Sequence, residues 1–105
     1  MRNPDRIKPT AGRLIAESQK TGKNIYDLVY DGPMSYYVED NQLVKGYPEP
    51  VDNELSARIV KVWEQMPDMR LAQLITNMGL EGYEGYKTLT NEVIVDALEN
   101  YYKQA

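Results

Sequence analysis

The chain has 105 residues, of which 42% are hydrophobic, and this is enough for one folded domain with its own core. It contains no cysteine and no histidine, which excludes disulfides, thiolate or imidazole metal sites and catalysis by histidine-dependent triads. The net charge is −4, with +4 on residues 1–24 and −8 on residues 25–105, so nucleic acid is disfavoured as a partner of the acidic body.

The N-terminal part is predicted to form an irregular arm followed by two helices. Residues 1–9 contain two prolines and form the arm. A helix capped by Thr10 is predicted to run to about Lys20, and Gly22 suits the left-handed backbone that follows a helix. Asn24 is then expected to cap a short helix over residues 25–30.

Residues 34–47 are predicted to form a β-hairpin, because two short β-prone runs flank Asp40 and Asn41. Short runs fit the strand and the helix period alike, so a helix beginning at Glu39 is the alternative. An isolated hairpin is only marginally stable, and one face of this one is therefore expected to pack on helices.

The C-terminal part is predicted to contain three helices. Asp52 is expected to cap a helix over residues 53–66, and Asp68 a second helix that closes at Gly79. The third begins at Thr90, between the two apolar positions of a hydrophobic staple. Apolar residues at helical spacing predict three buried stripes. The stripes are Leu55, Ile59, Val62, Trp63 and Met66; Leu71, Leu74, Ile75 and Met78; and Ile94, Ala97, Leu98 and Tyr101.

These elements predict one mainly α-helical domain over residues 1–105, a small bundle of four to five short helices with one hairpin. Residues 1–9 form the arm, residues 10–47 hold the N-terminal helices and the hairpin, and residues 52–105 hold the three-helix half. The proline-containing connector around residues 47–50 is too short to separate two independent domains.

No motif for catalysis, for a cofactor or for a metal is apparent. The glycine-rich segment 79–86 lacks the spacing and the lysine of a phosphate-binding loop, and Glu81 and Glu84 repel phosphate. The neighbouring acids Glu39 and Asp40 lack the alternating ligand pattern of a calcium loop. We therefore expect a protein that is not an enzyme and needs neither cofactor nor metal.

The aromatic residues are unusual: nine tyrosines and one tryptophan, with no phenylalanine. A tyrosine ring is apolar with a polar tip, which suits both the margin of a core and a protein-contact surface. The candidate protein-binding residues are Tyr36, Tyr37, Tyr47, Tyr83 and Tyr86. The candidates for contact with phosphate or an acidic partner are Arg2, Arg6, Lys8 and Arg13. A solvated basic terminus is the alternative interpretation of this second group.

Three short elements of the C-terminal half carry a resemblance to a known family. They are WEQMPDMRLAQL at residues 63–74, GYEG at 82–85 and LTNE at 89–92. In this order they resemble the YihD-like family of small bacterial proteins, and they look similar to short phage and mobile-element proteins. The likeness covers about residues 59–102 and implies a small all-helical fold with no established activity.

Two functional hypotheses follow. The first is a non-catalytic protein–protein interaction module, encoded by a phage or mobile element, that modulates or inhibits a host protein. The alternative is a nucleic-acid-associated regulator that uses the corner at Pro67 and Asp68 as a helix-turn-helix, together with the basic N-terminal segment. No apolar run reaches the roughly 18 residues of a membrane span, and we expect a cytoplasmic protein. The sequence leaves monomer and homodimer open.

Overall fold

A computed structural model describes residues 7–31 and 49–103. These residues form five α-helices, and the prediction of a mainly helical fold is confirmed. The helices are α1 (Ile7–Thr21), α2 (Ile25–Tyr30), α3 (Glu54–Trp63), α4 (Leu71–Thr76) and α5 (Asn91–Tyr102), with short 3-10 helices at Leu80–Gly82 and Tyr86–Thr88. The described residues contain no strand, and the predicted hairpin over residues 34–47 lies outside them.

The first two helices follow local sequence signals closely. Helix α1 begins at Ile7, before the predicted start at Thr10, so residues 7–9 are helical rather than part of an irregular arm. Pro9 falls in the first turn, where a missing backbone N–H has no helical partner to lose. Helix α2 has the predicted bounds, and the Asn24 side chain caps it by accepting a hydrogen bond from the Asp27 N–H at 2.8 Å.

Helix α3 differs from its prediction at both ends. Its cap is Asn53 rather than Asp52, because Asn53 and Ser56 form a reciprocal capping box with N–H···O distances of 3.0 and 2.9 Å. The helix ends at Trp63, so its predicted extension to residue 66 was wrong. The Trp63 indole N–H donates to the Met69 carbonyl at 2.7 Å, and this bond stabilises a non-helical turn after α3.

Helix α4 is shorter than predicted. It begins at Leu71, after Arg70, and the predicted cap Asp68 lies outside the helix. The prediction that Gly79 closes this part of the chain is confirmed, because Gly79 has left-handed backbone with a φ of 68°. The other predicted helix-end glycine, Gly22, has a φ of 79°. Both angles strain any residue with a Cβ.

The buried faces of the helices meet in one core. Helix α1 packs on α3, α3 packs on α5, and α2 packs on α4. The predicted stripes of α3 and α4 face this core. On α5 the prediction of Tyr101 was wrong: Tyr102 is 8% exposed and Tyr101 is 53% exposed. Tyr102 continues the four-residue spacing of Ile94 and Leu98, and its hydroxyl donates to the Leu74 carbonyl at 2.6 Å.

Two contacts position α3 against its neighbours. The chain before α3 crosses α1 at Gly12, whose carbonyl accepts a hydrogen bond from the Val51 N–H at 3.0 Å. On the other side, Arg58 of α3 reaches Glu99 of α5 with two hydrogen bonds of 2.6 and 3.0 Å, and it also pairs with Asp96. Among the residues described, no helix combines the length and apolarity needed to cross a bilayer.

Candidate functional site

The structure places two of the five predicted protein-binding tyrosines. Tyr83 and Tyr86 lie in the segment between α4 and α5, whereas Tyr36, Tyr37 and Tyr47 lie outside the described residues. Tyr86 is half-buried and Tyr83 is 58% exposed. The site also includes Tyr26 and Tyr30 of α2, which the sequence analysis did not select as site residues.

The rings of Tyr26, Tyr30 and Tyr86 form a mutually contacting group. Tyr26 stacks on Tyr30 with centroids 5.8 Å apart and an interplanar angle of 23°. Tyr86 meets Tyr26 edge-on at 5.6 Å and Tyr30 edge-on at 6.1 Å. These are favourable aromatic geometries. Tyr30 is 49% exposed and Tyr26 is fully buried beneath it. Tyr83 lies three residues before Tyr86, whose N–H donates to the Tyr83 carbonyl at 3.1 Å. We call Tyr30, Tyr83 and Tyr86 together the tyrosine face.

Local sequence explains why Tyr26 and Tyr30 stack on each other, but not why Tyr86 meets them. Tyr26 and Tyr30 are four residues apart in α2, so their side chains lie on one side of the helix in adjacent turns. This spacing was a signal that the sequence analysis overlooked. The approach of Tyr86 has no such local signal, because it comes from a segment more than fifty residues further along the chain.

Two buried side chains of α2 and its cap hold the segment 79–90 against the helix. The Asn24 amide nitrogen donates to the carbonyls of Tyr86 and Leu89, at 2.8 and 3.0 Å. The Tyr26 hydroxyl bonds the Glu81 carboxylate and accepts a hydrogen bond from the Glu81 N–H at 3.3 Å. The tyrosine face is therefore built on a hydrogen-bonded framework.

The electrostatics of the site keep the phenols of Tyr26 and Tyr86 protonated. Burial, aided by the hydrogen bond with Glu81, raises the pKa of Tyr26 to about 12. The pKa of Tyr86 is also raised, chiefly because the hydroxyl loses solvent, with Asp27 and Asp31 adding to the effect and Lys87 opposing it. At neutral pH these groups act as hydrogen-bonding hydroxyls and ring surfaces, not as phenolate nucleophiles.

Charged side chains lie on the segments that carry the tyrosine face. Asp31, Glu81 and Glu84 are exposed carboxylates on the two segments that carry the rings. Lys87 lies between them, with its Nζ 3.6 Å from Asp31 and 6.0 Å from the centroid of the Tyr86 ring. Residues 25–31 and 79–90 therefore carry three exposed carboxylates and one exposed ammonium, an excess of negative charge.

A polar cleft of about 520 Å³ lies beside the face, between the end of α1 and the start of α5. Its buried polar groups bond one another: Asn91 accepts from the Ile25 N–H at 2.9 Å and donates to Ser18 at 2.6 Å. Ser18 in turn donates to the Lys23 carbonyl at 2.6 Å. These bonds connect α1, α2 and α5, so the groups serve the packing of the three helices.

Two of the four predicted basic contacts, Lys8 and Arg13, lie on α1. Lys8 is exposed on α1 and pairs with Asp52 at 3.3 Å, while Arg13 is half-buried on the same helix. Arg2 and Arg6 lie outside the described residues. At the predicted helix-turn-helix corner, α4 has only six residues, and Arg70 before it and Gln73 within it are exposed.

Residues 7–31 and 49–103 contain no group of three or more histidine, cysteine, aspartate or glutamate side chains placed to hold a metal ion. Comparison of the chain with models of known protein families, with curated proteins and with solved structures finds no match. The resemblance of residues 59–102 to the YihD-like family therefore stays a prediction from three short sequence elements.

Proposed function

We propose that this protein is a non-catalytic protein-interaction module that binds its partner through the tyrosine face. The observation that carries the proposal is the exposure of two tyrosines, Tyr30 at 49% and Tyr83 at 58%, on segments that the Asn24 hydrogen bonds hold together. Tyrosine is enriched at protein interfaces because it offers a large contact area and a hydroxyl while ordering few rotatable bonds.

The framework beneath the face supports this role energetically. Tyr30 stacks on the buried Tyr26, and the chain around Tyr86 is held by Asn24. A surface that is ordered before it meets its partner loses less conformational entropy on binding. The same rings can place two phenol hydroxyls at the interface, which adds direction to an otherwise apolar contact.

The proposed biological role is that of a modulator or inhibitor of a host protein, carried by a phage or mobile element. The predicted resemblance of residues 59–102 to small phage and mobile-element proteins supports it, as does the absence of histidine and cysteine from the composition. The proposed compartment is the cytoplasm, since a cysteine-free chain fits a reducing environment.

The test is affinity purification from the native host with three forms of the full chain, followed by mass spectrometry. The forms are the wild type, the double variant Tyr30→Ala/Tyr83→Ala and the control Tyr101→Ala. Tyr101 is also exposed, at 53%, but lies on α5. Circular dichroism and thermal unfolding of each purified form establish that the variants are folded.

We expect a partner that the wild type and the Tyr101 variant retain and the double variant loses. Equal recovery of every protein by all three forms, or recovery of none, contradicts the proposal. Recovery of DNA or RNA that is insensitive to the tyrosine substitutions also overturns it, and favours the nucleic-acid hypothesis.

A further inference from the structure

The tyrosine face combines exposed aromatic rings with an excess of carboxylates. Tyr30 and Tyr83 expose about half of their surface, and Asp31, Glu81 and Glu84 are exposed on the segments that carry them. The face of an aromatic ring attracts cations through its quadrupole, and carboxylates attract them through their charge. The two features therefore select the same kind of group on a partner.

The chain itself shows that this surface accepts a cation. The Lys87 ammonium lies 6.0 Å from the centroid of the Tyr86 ring and 3.6 Å from a carboxylate oxygen of Asp31. A ring face and a carboxylate thus share one cation within the face. Tyr30, whose ring centroid is 6.1 Å from that of Tyr86, presents a second ring in the same group.

We infer that the partner presents an arginine-containing basic segment, whose guanidinium groups stack on Tyr30 and Tyr83 and pair with exposed carboxylates of the same two segments. This inference rests on the proposed function, and it adds the chemistry of the partner. Charge complementarity carries it: the segments that bear the face also carry three exposed carboxylates, Asp31, Glu81 and Glu84, and residues 25–105 carry a net charge of −8.

Arginine fits the face better than lysine. Its guanidinium is planar, is more weakly hydrated than an ammonium, stacks on aromatic rings and pairs with a carboxylate through two parallel N–H bonds. Lysine supplies only a compact charge. An acidic segment is repelled by the same carboxylates, so the three kinds of segment are expected to bind in the order arginine, lysine, acidic.

The test measures binding of fluorescein-labelled model peptides to the full chain by fluorescence anisotropy. The peptides share one glycine- and serine-rich sequence and carry arginine, lysine or glutamate at the same positions. The key variant is Tyr30→Leu/Tyr83→Leu, which keeps apolar surface but removes the ring quadrupole. Tyr101→Leu is the matched control, because Tyr101 is an equally exposed ring on α5. Glu84→Gln tests the carboxylate contribution.

We expect the arginine peptide to bind more tightly than the lysine peptide, and the glutamate peptide to bind weakest. Each of the two leucine substitutions in the double variant is expected to weaken binding of the arginine peptide about two- to five-fold. This factor corresponds to the loss of one exposed cation–π contact. Glu84→Gln weakens both basic peptides, and Tyr101→Leu changes neither. In ¹⁵N-HSQC spectra the arginine peptide is expected to shift the amides of residues 26–31 and 79–88.

Equal affinity of the arginine peptide for the double leucine variant and for the Tyr101 control overturns the inference, as does equal affinity for the arginine and glutamate peptides. Failure here is distinguishable from failure of the proposed function. Suppose that the purification recovers a host partner whose binding depends on Tyr30 and Tyr83, but that arginine peptides are not preferred. The proposed binding surface is then supported, and only the inference of a basic partner is contradicted.

Discussion

Replacing Asn24 by alanine removes a side chain that makes three hydrogen bonds while only 6% exposed. The oxygen of its amide caps α2 through the Asp27 N–H, and the nitrogen donates to the carbonyls of Tyr86 and Leu89. One side chain thus starts a helix and holds the segment that carries two of the three residues of the tyrosine face. The substitution tests the two roles together.

The expected loss follows from the two roles. Losing a polar N-cap costs about 1 kcal/mol of unfolding free energy. Each lost neutral hydrogen bond to a carbonyl costs about 1 kcal/mol, and the Leu89 carbonyl loses its side-chain donor. The Tyr86 carbonyl keeps the Leu89 N–H at 3.3 Å, so its loss is partly compensated. We expect Asn24→Ala to destabilise the fold by about 2–3 kcal/mol, which lowers Tm by about 10–20 °C.

Asn24→Asp separates the two roles. Aspartate is as good an N-cap as asparagine, so the helix start is preserved. Its carboxylate, however, cannot donate, and it faces the two carbonyl oxygens of Tyr86 and Leu89 at hydrogen-bonding distance. At neutral pH we therefore expect Asn24→Asp to be at least as destabilising as Asn24→Ala, because an unsolvated charge replaces two hydrogen bonds.

Urea unfolding of the three proteins, followed by circular dichroism, measures these differences. Hydrogen exchange of the amides in residues 79–90 provides a local readout, and exchange is expected to accelerate in both variants. If Asn24→Asp is as stable as the wild type, capping of α2 accounts for the whole effect. In that case the side chain does not hold the segment 79–90, and the argument for an ordered tyrosine face fails.

Three further predictions concern the core and its margin. Gly12→Ala is expected to destabilise by about 1–3 kcal/mol in urea unfolding, although alanine favours helices, because its Cβ would lie 2.8 Å from the Val51 carbonyl oxygen. Tyr102→Phe removes a buried hydroxyl bond to a backbone carbonyl and should cost about 1 kcal/mol in the same assay. Hydrogen bonding to Arg58 lowers the pKa of Glu99. The pair therefore stabilises the fold at pH values above the ordinary carboxyl pKa, and this stabilisation is lost as the pH falls through the lowered pKa. The stability difference between wild type and Glu99→Gln, below about 1 kcal/mol for this partly exposed pair, should shrink from about pH 5 to about pH 3.

Matched substitutions of the same residue types serve as controls. Gly82→Ala meets no atom within 4 Å and should leave stability nearly unchanged. Tyr101→Phe alters an exposed hydroxyl next to the buried one, and Glu92→Gln alters an exposed carboxylate of α5. A Gly12→Ala variant as stable as its control would contradict the close packing of the chain on α1. A stability difference for Glu99→Gln that stays constant with pH would mean that its charge contributes nothing.

Short-range signals predicted the parts of the fold that short-range bonds stabilise. Asn24 and Thr90 cap their helices as expected, because a cap bonds the N–H of a residue only three positions away. The same reasoning erred at Asp52, where the next residue, Asn53, caps equally well and Ser56 completes its box. Two adjacent candidates with similar local energy are separated by the packing around them.

The amino-acid pattern by itself determined that this chain is mainly helical, where α2 and α5 begin, and which faces of α3 and α4 are buried, since apolar spacing and caps act within a few residues. Only the tertiary structure decided that Tyr102 rather than Tyr101 enters the core, that Trp63 ends α3 by bonding Met69, and that Tyr86 meets α2. These outcomes depend on side chains reaching atoms in other parts of the fold. The candidate site has the same origin: residues distant in sequence become one surface when Asn24 holds their segments together.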